Sequence, residues 1–202
     1  MNKQELFWYS EYADKYIVRN SHFDVAQGIA AWKKMLSGVH NLDSILELGC
    51  NIGRNLDSLK AIYPEAGLSI VEISPKAFEI VTSKFTFDFA ENNSIASANL
   101  PSDRFDLVFT SGVLIHIAPE DLLGVMERMY EWSSRYILIC EMFSRVPRTV
   151  HYNGSDDLLF TRDFGRHFLE NFNCKVVDYG FLWGHFFDSA GFDDANYWVF
   201  EK

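Results

Sequence analysis

The stretch ILELGCNIG, residues 45–53, decides the fold of this chain. A short apolar strand carries one carboxylate, Glu47, and opens into a turn bounded by Gly49 and Gly53. Glycine lets the backbone turn sharply and approach a ligand closely, and Asn51 between them is a residue that tolerates positive φ. Similar loops also close βα units that bind nothing. In its context, this stretch predicts a cofactor-binding turn at the carboxyl end of a strand.

Strands alternate with helices after this turn, which predicts a mostly parallel sheet covered by helices on both faces. The first part of the chain is predicted helical, because Trp8, Tyr12 and Tyr16 are spaced four residues apart. We expect one domain, with a helical cap over residues 1–40 and an α/β core over residues 41–202. Predicted strands span residues 44–48, 68–73, 86–89, 105–109, 136–140, 175–179 and 197–200, and predicted helices span residues 53–62, 75–84, 120–133 and 161–171.

Composition favours a small-molecule partner. The 202 residues are 48% hydrophobic and 23% charged, which is ordinary for a globular domain. The net charge is -10 and the 18 lysines and arginines are scattered, so we expect no nucleic acid partner. No run is long enough for a membrane span and the start lacks a secretion signal, so we expect a cytoplasmic protein that does not bind membranes. The three cysteines have no metal-ligand spacing, so no metal site is expected.

Glu72 is a candidate ribose ligand. It follows Gly53 by nineteen residues and ends the second apolar strand, where its carboxylate could accept both hydrogen bonds of a ribose diol. Dinucleotide-binding enzymes use the same device, but their turn must admit a pyrophosphate, for which Cys50 and Asn51 leave less room. After the third strand, Ser94 and Ile95 are candidates for an adenine site, with a surface turn as the alternative.

A second stretch, FDLVFTSGVLIHI at residues 105–117, strengthens the interpretation. Together with ILELGCNIG it resembles the class I S-adenosylmethionine (SAM) dependent methyltransferases. The strings VEISPKAFEI, YILICEMF, LLFTRDFG and VVDYGF narrow the resemblance to the methylase family associated with pseudaminic acid biosynthesis. It implies a Rossmann-like, seven-stranded, mostly parallel sheet with an antiparallel last strand, SAM as cofactor and S-adenosylhomocysteine (SAH) as product. The cofactor residues it implies are Glu47, Gly49, Cys50, Asn51, Gly53, Asn55, Glu72, Ile73, Ser94, Ile95 and Thr110.

Two side chains are candidate catalytic bases. His116 lies just beyond the fourth strand, and Glu141 follows the fifth strand at the same edge of the sheet. The alternative for His116 is a histidine packed between strand and helix. The alternative for Glu141 is an ion pair with Arg145 or Arg148.

Candidate acceptor-binding residues are Tyr9 and Tyr16 in the cap and His151, Tyr152 and Arg162 in or after the long insertion at residues 143–158. A guanidinium fork suits a phosphate or carboxylate, although Arg162 could instead pair with Asp157 or Asp163. The tyrosines, at helical spacing, could equally be packing residues.

Three functions are consistent with these patterns. The first is methyl transfer to a small polar acceptor of bacterial surface-glycan or capsule synthesis, such as a nucleotide sugar or a phosphoramidate-type substituent. The second is methylation of a macromolecule such as tRNA or protein, for which a basic face would be expected. The third is a SAM-binding protein without catalysis, because a fold does not guarantee chemistry.

Overall fold

A seven-stranded sheet with helices on both faces forms the body of the protein. The computed structural model describes residues 1–202, except for the side chain of Glu11. The strands are β1 (Ser44–Leu48), β2 (Gly67–Val71), β3 (Phe89–Glu91), β4 (Phe105–Ser111), β5 (Ser133–Glu141), β6 (Arg148–Thr149), β7 (Phe160–Thr161), β8 (Lys175–Leu182) and β9 (Ala195–Glu201). The α-helices are α1 (Lys3–Tyr9), α2 (Glu11–Arg19), α3 (Val25–Met35), α4 (Arg54–Ile62), α5 (Pro75–Lys84), α6 (Leu122–Trp132), α7 (Phe164–Asn171) and α8 (Gly184–Phe187).

The order of strands in the sheet places the candidate site. The order is β3-β2-β1-β4-β5-β9-β8, and the last strand, β9, runs antiparallel to both of its neighbours while the other pairs are parallel, which confirms the predicted sheet. From β1 the chain passes to β2 and β3 on one side, then returns to β4 on the other. Open α/β sheets bind ligands where the strand order reverses, so the carboxyl ends of β1 and β4 are the expected position.

Strand β1 lies inside the sheet, and both of its faces are covered by apolar cores. All five of its residues are buried. Ile45 belongs to the core on one face of the sheet, whereas Leu46 and Leu48 belong to the core on the other. Burial on both faces explains why the sequence of β1 is nearly continuous in apolar residues.

Element boundaries differ from the prediction where local hydrogen bonding decides them. Strand β3 begins at Phe89, so it overlaps the predicted strand 86–89 at one residue. Helix α7 begins at Phe164 because the side chain of Asp163 accepts a hydrogen bond from the Arg166 backbone N–H and caps the helix. Thr161, predicted helical, lies in β7, which pairs with β6 inside the insertion predicted as a loop.

The N-terminal cap, predicted to be helical, consists of three helices, because α1 and α2 are separate. Ser10 ends α1, and its hydroxyl accepts a hydrogen bond from the Tyr12 backbone N–H, which starts α2. Helix α1 has no buried residue and is held by polar contacts of Asn2 with Asp121 and of Lys3 with Asp157. In the described part of the chain, no helix is long and apolar enough to cross a membrane.

Gly165 allows α7 to pack closely on β9, which gives a test of the packing. A Cβ at Gly165 would overlap the indole ring of Trp198, which is too large to move aside easily. Gly165→Ala should therefore lower the free energy of unfolding by about 1–3 kcal/mol. Gly124→Ala in α6 is the matched control: its Cβ meets nothing within 4 Å, so it should be neutral or stabilising by up to about 1 kcal/mol. Urea unfolding measures both, and equal effects would contradict the packing argument.

Candidate active site

A cleft at the carboxyl ends of β1, β2 and β4 is the candidate active site, and α1 and α2 form one wall of it. Ten residues predicted from the sequence line it: Tyr16, Gly49, Cys50, Asn51, Asn55, Glu72, Ile73, Ser94, Ile95 and His116. Further lining residues include Glu5, Trp8, Arg54, Asn93, Ser111, Gly112, Val113 and Asp121. The other predicted residues, Tyr9, Glu47, Gly53, Thr110, Glu141, His151, Tyr152 and Arg162, lie outside the lining.

The glycine turn after β1 has the backbone that its sequence predicts. Gly49, Asn51 and Gly53 have φ values of +74°, +49° and +82°. A Cβ at Gly49 would lie 2.6 Å from a methyl carbon of Val113, so the loop after β4 packs directly against the turn. Only glycine permits both this approach and the left-handed backbone without strain.

Glu47 is buried behind the turn with one carboxylate oxygen unused. Its Oε1 accepts a hydrogen bond of 2.7 Å from the Asn55 side chain, and its Oε2 has no partner among the described residues. Burial raises the pKa of Glu47 to about 8, although the Asn55 bond and the charge of Arg54 oppose the shift. Arg54 lines the cleft. An acid and a guanidinium side by side suit the amino and carboxylate groups of an amino acid.

Glu72 links the glycine turn to the end of β2. One carboxylate oxygen accepts a hydrogen bond of 2.7 Å from the Asn51 backbone N–H, and the other accepts one of 2.8 Å from the Ser74 backbone N–H. Burial raises the pKa of Glu72 despite these bonds. Each carboxylate oxygen has a second lone pair, so Glu72 can also accept hydrogen bonds from hydroxyl groups in the cleft.

The end of the cleft near β3 combines an apolar wall with polar groups. Ile95 is buried, and the Ser94 hydroxyl is buried without a partner among the described residues. Asp121, at the start of α6, adds a carboxylate to the lining of the same cleft. No motif in the sequence predicts this residue as part of a site. This end of the cleft suits an apolar ring with polar edges.

Gly112 leaves space at the end of β4. Its φ is +68°, and a Cβ there would meet nothing within 4 Å. Thr110, two residues earlier, is fully buried and its hydroxyl has no partner among the described residues. The cleft therefore continues past the end of β4 toward His116.

His116 lies in a one-turn 3₁₀ helix, Leu114–His116, and is oriented by the insertion. Its Nδ1 lies 2.8 Å from the Leu158 carbonyl oxygen, so Nδ1 carries the proton and Nε2 carries the lone pair. Its ring packs against Trp8 and Tyr152 at centroid distances of 4.7 and 5.2 Å. Burial lowers the pKa of His116 to about 4, so the ring is neutral near pH 7.

Glu141 holds the loop after β4 instead of facing the cleft. Its carboxylate accepts hydrogen bonds from the backbone N–H groups of Val113 and Leu114, both at 3.0 Å, and of Ile115 at 3.4 Å. Burial raises its pKa to about 7. It forms no ion pair with Arg145 or Arg148 among the described contacts. Its geometry is that of a cap for the helix that carries His116.

The candidate acceptor residues are dispersed. Tyr9 is 49% exposed, and the exposed His151 pairs with Asp156. Arg162 is half-buried, forms no ion pair with the described carboxylates, and has a buried Nε without a partner. Tyr152 lies against His116 from outside the lining.

The cap role of Glu141 can be tested by stability. Glu141→Ala leaves buried N–H groups without an acceptor, so it should lower the free energy of unfolding by at least about 2 kcal/mol. Glu141→Gln keeps one acceptor oxygen and should lose less. The exposed Glu127→Ala in α6 is the control and should change stability by less than about 0.5 kcal/mol. Urea unfolding decides, and a stable Glu141→Ala variant would contradict the cap.

Comparisons with known proteins agree with this geometry. Residues 45–134 match a family model described as a methyltransferase domain. No curated protein matched the chain. The 1,6-didemethyltoxoflavin-N1-methyltransferase of Burkholderia thailandensis is 16% identical, with a TM-score of 0.72 over 98% of this chain and 86% of that one.

Two further solved structures have the same architecture. The magnesium protoporphyrin IX methyltransferase of Synechocystis, solved with bound SAM, is 13% identical, with a TM-score of 0.67 over 100% of this chain and 98% of that one. The N-methyltransferase NodS of Bradyrhizobium japonicum, solved with SAH, is 14% identical, with a TM-score of 0.63 over 88% of this chain and 86% of that one. The predicted fold class is thus confirmed: the chain has the class I methyltransferase fold, and residues 45–134 are similar to a methyltransferase domain.

Proposed function

We propose that the protein is a SAM-dependent methyltransferase that transfers a methyl group to an oxygen or nitrogen atom of a small, polar, anionic metabolite. The observation that carries the proposal is the cleft at the point where the strand order reverses. Most of the residues that line this cleft lie within residues 45–134, the region that matches a methyltransferase domain. Around it, Glu47, Asn51 and Ser94 each keep a buried polar atom without a partner among the described residues. Buried polar atoms of this kind favour a bound polar ligand.

The residues present fit SAM. Glu47 and Asn55 would receive its amino group, and Arg54 its carboxylate, because a buried acid and a guanidinium form complementary charge pairs with them. Glu72 would accept the ribose hydroxyls, and the segment of Ser94 and Ile95 would border the adenine. SAM supplies an electrophilic methyl group on a sulfonium.

The chain's own contribution is to hold the acceptor and exclude water. Trp8 and Tyr16 from the cap close the cleft on the side of His116. The Nε2 lone pair of the neutral His116 would take the proton of a hydroxyl or amine acceptor as the new bond forms, while Leu158 keeps the ring oriented. Glu141 acts indirectly, because it positions the 3₁₀ helix that contains His116.

The depth of the cleft, whose lining includes the buried Glu72, Ser94 and His116, and the net charge of -10 support a small-molecule acceptor over tRNA or protein. The sequence resemblance to a surface-sugar methylase family supports an acceptor of surface-glycan or capsule synthesis, such as a nucleotide sugar or a phosphoramidate-type substituent. Two of the similar structures act on small molecules by their names, 1,6-didemethyltoxoflavin and magnesium protoporphyrin IX. The neutral, oriented His116 favours an active enzyme over a SAM-binding protein without catalysis.

Cofactor binding is the first test. The purified protein should bind SAH in calorimetry, and Glu72→Ala should weaken binding at least tenfold, because charge-assisted hydrogen bonds are worth roughly 1.5–3 kcal/mol each. Glu72→Gln should weaken it less. Glu79→Ala, an exposed acid on α5, is the control and should bind normally. Preferential binding of NAD, or no binding of SAH, would reject the proposed function.

His116 is tested by turnover, using labelled SAM against nucleotide sugars, sugar phosphates, amino acids and bulk tRNA. His116→Asn keeps a donor toward Leu158 but lacks the Nε2 lone pair, so turnover should fall about a hundredfold or more with SAH affinity unchanged. Because the pKa of His116 is about 4, wild-type turnover should not decline between pH 8 and about pH 6 through loss of this base. Full activity of the variant would make His116 a packing residue, and labelling of tRNA alone would reject the small acceptor.

A further inference from the structure

Next to His116, α2 and the insertion form a polar contact with each other. None of the residues proposed to bind the cofactor takes part in it. The hydroxyls of Tyr12 and Tyr152, which we call the tyrosine pair, lie 2.8 Å apart. The Tyr152 ring packs against His116, and the Tyr12 ring packs against Trp8, whose own ring contacts His116. The tyrosine pair therefore lies directly behind Trp8 and His116, two residues that line the cleft.

The tyrosine pair has one hydrogen to spare. Two hydroxyls bring two hydrogens, and the bond between them uses one, whichever tyrosine donates it. Among the described residues, neither hydroxyl donates to any other group. Burial raises the pKa of Tyr152 to about 12, so its hydroxyl stays protonated at neutral pH. The second hydrogen is available for an acceptor oxygen that the chain does not supply.

Arg19 adds a positive charge at the same place. Its guanidinium lies 4.6 Å from the centroid of the Tyr16 ring and beside the Tyr152 hydroxyl. No described carboxylate lies within 4.0 Å of it. Its charge also reaches His116, where it adds to the effect of burial in lowering the pKa. A guanidinium stacked on an aromatic ring keeps its outer N–H groups free to bind an anion.

We propose that Arg19 and the tyrosine pair form the subsite that binds the anionic group of the acceptor. This inference rests on the proposed function and names its acceptor class: an acid whose carboxylate or phosphate-type oxygen accepts hydrogen bonds from the guanidinium and from the spare hydroxyl hydrogen. The arrangement sets the anion beside His116, the candidate base. Arg19 and the tyrosine pair lie outside the lining of the cleft, as Arg162 does, but only the charge of Arg19 acts on both Tyr152 and His116.

The test uses inorganic phosphate and acetate as probes on the protein, both with and without SAH in the solution. Each anion is titrated while the ring-proton NMR signals of His116 are followed. The wild-type signals should shift to saturation with at least one anion, and the tighter anion identifies a phosphate-type or a carboxylate acceptor. Arg19→Ala should weaken binding about tenfold or more, and Arg19→Lys, which keeps the charge without the fork, by less. Tyr152→Phe should also weaken it.

Two controls make the result specific. Lys15→Ala removes one positive charge from an exposed position of the same helix, and Arg162→Ala removes the alternative cation. Both should leave the anion affinity within about twofold of wild type. An unsaturable wild-type response, equal affinities in wild type and Arg19→Ala, or a loss confined to Arg162→Ala would each overturn the subsite. SAH affinity, measured separately, reports on the proposed function, so anion binding through Arg19 without SAH binding would reject that function alone.

Discussion

Buried carboxylates that accept backbone hydrogen bonds hold the loops of the cleft in place. Glu72 binds the N–H groups of Asn51 and Ser74, and Glu141 binds those of Val113 and Leu114. These loops leave the sheet where the strand order reverses, so they have no neighbouring strand to pair with. An unsatisfied buried N–H is costly, and the two carboxylates remove that cost at both sides of the turn.

Three buried acids, Glu47, Glu72 and Glu141, lie in or next to the cleft, and their negative charge is not fully compensated by the chain. Burial raises the pKa of Glu47, Glu72 and Glu141, so each is less stable as an anion than it would be in water. Glu141 and Glu72 are compensated by backbone donors, whereas Glu47 keeps a free oxygen. A positively charged group of a bound ligand would stabilise the buried carboxylate of Glu47. The amino group of the proposed cofactor carries such a charge.

The sequence predicted well which elements surround the glycine-turn end of the cleft, because they depend on local patterns. A glycine turn after an apolar strand and an acid at the end of the next strand need only short stretches of chain, and Gly49, Asn51 and Glu72 line the cleft. The contributions of Asp121 and Trp8 could not be predicted, because distant segments bring them there. Glu141 is the last residue of β5, whereas the sequence placed it just after the strand, and the N–H groups that it binds belong to the distant loop after β4.

The proposed acceptor side of the cleft is formed by different segments of the chain than the proposed cofactor side. The match to a methyltransferase domain covers residues 45–134, which include the glycine turn, Glu72 and His116. Trp8 and Arg19, by contrast, belong to the cap, and Tyr152 belongs to the insertion. His116 is oriented from this second group, through Leu158, although it lies within the first. On the proposed function, the candidate base thus lies in the part of the chain that would carry the cofactor, whereas the cap and the insertion would determine which acceptor reaches it.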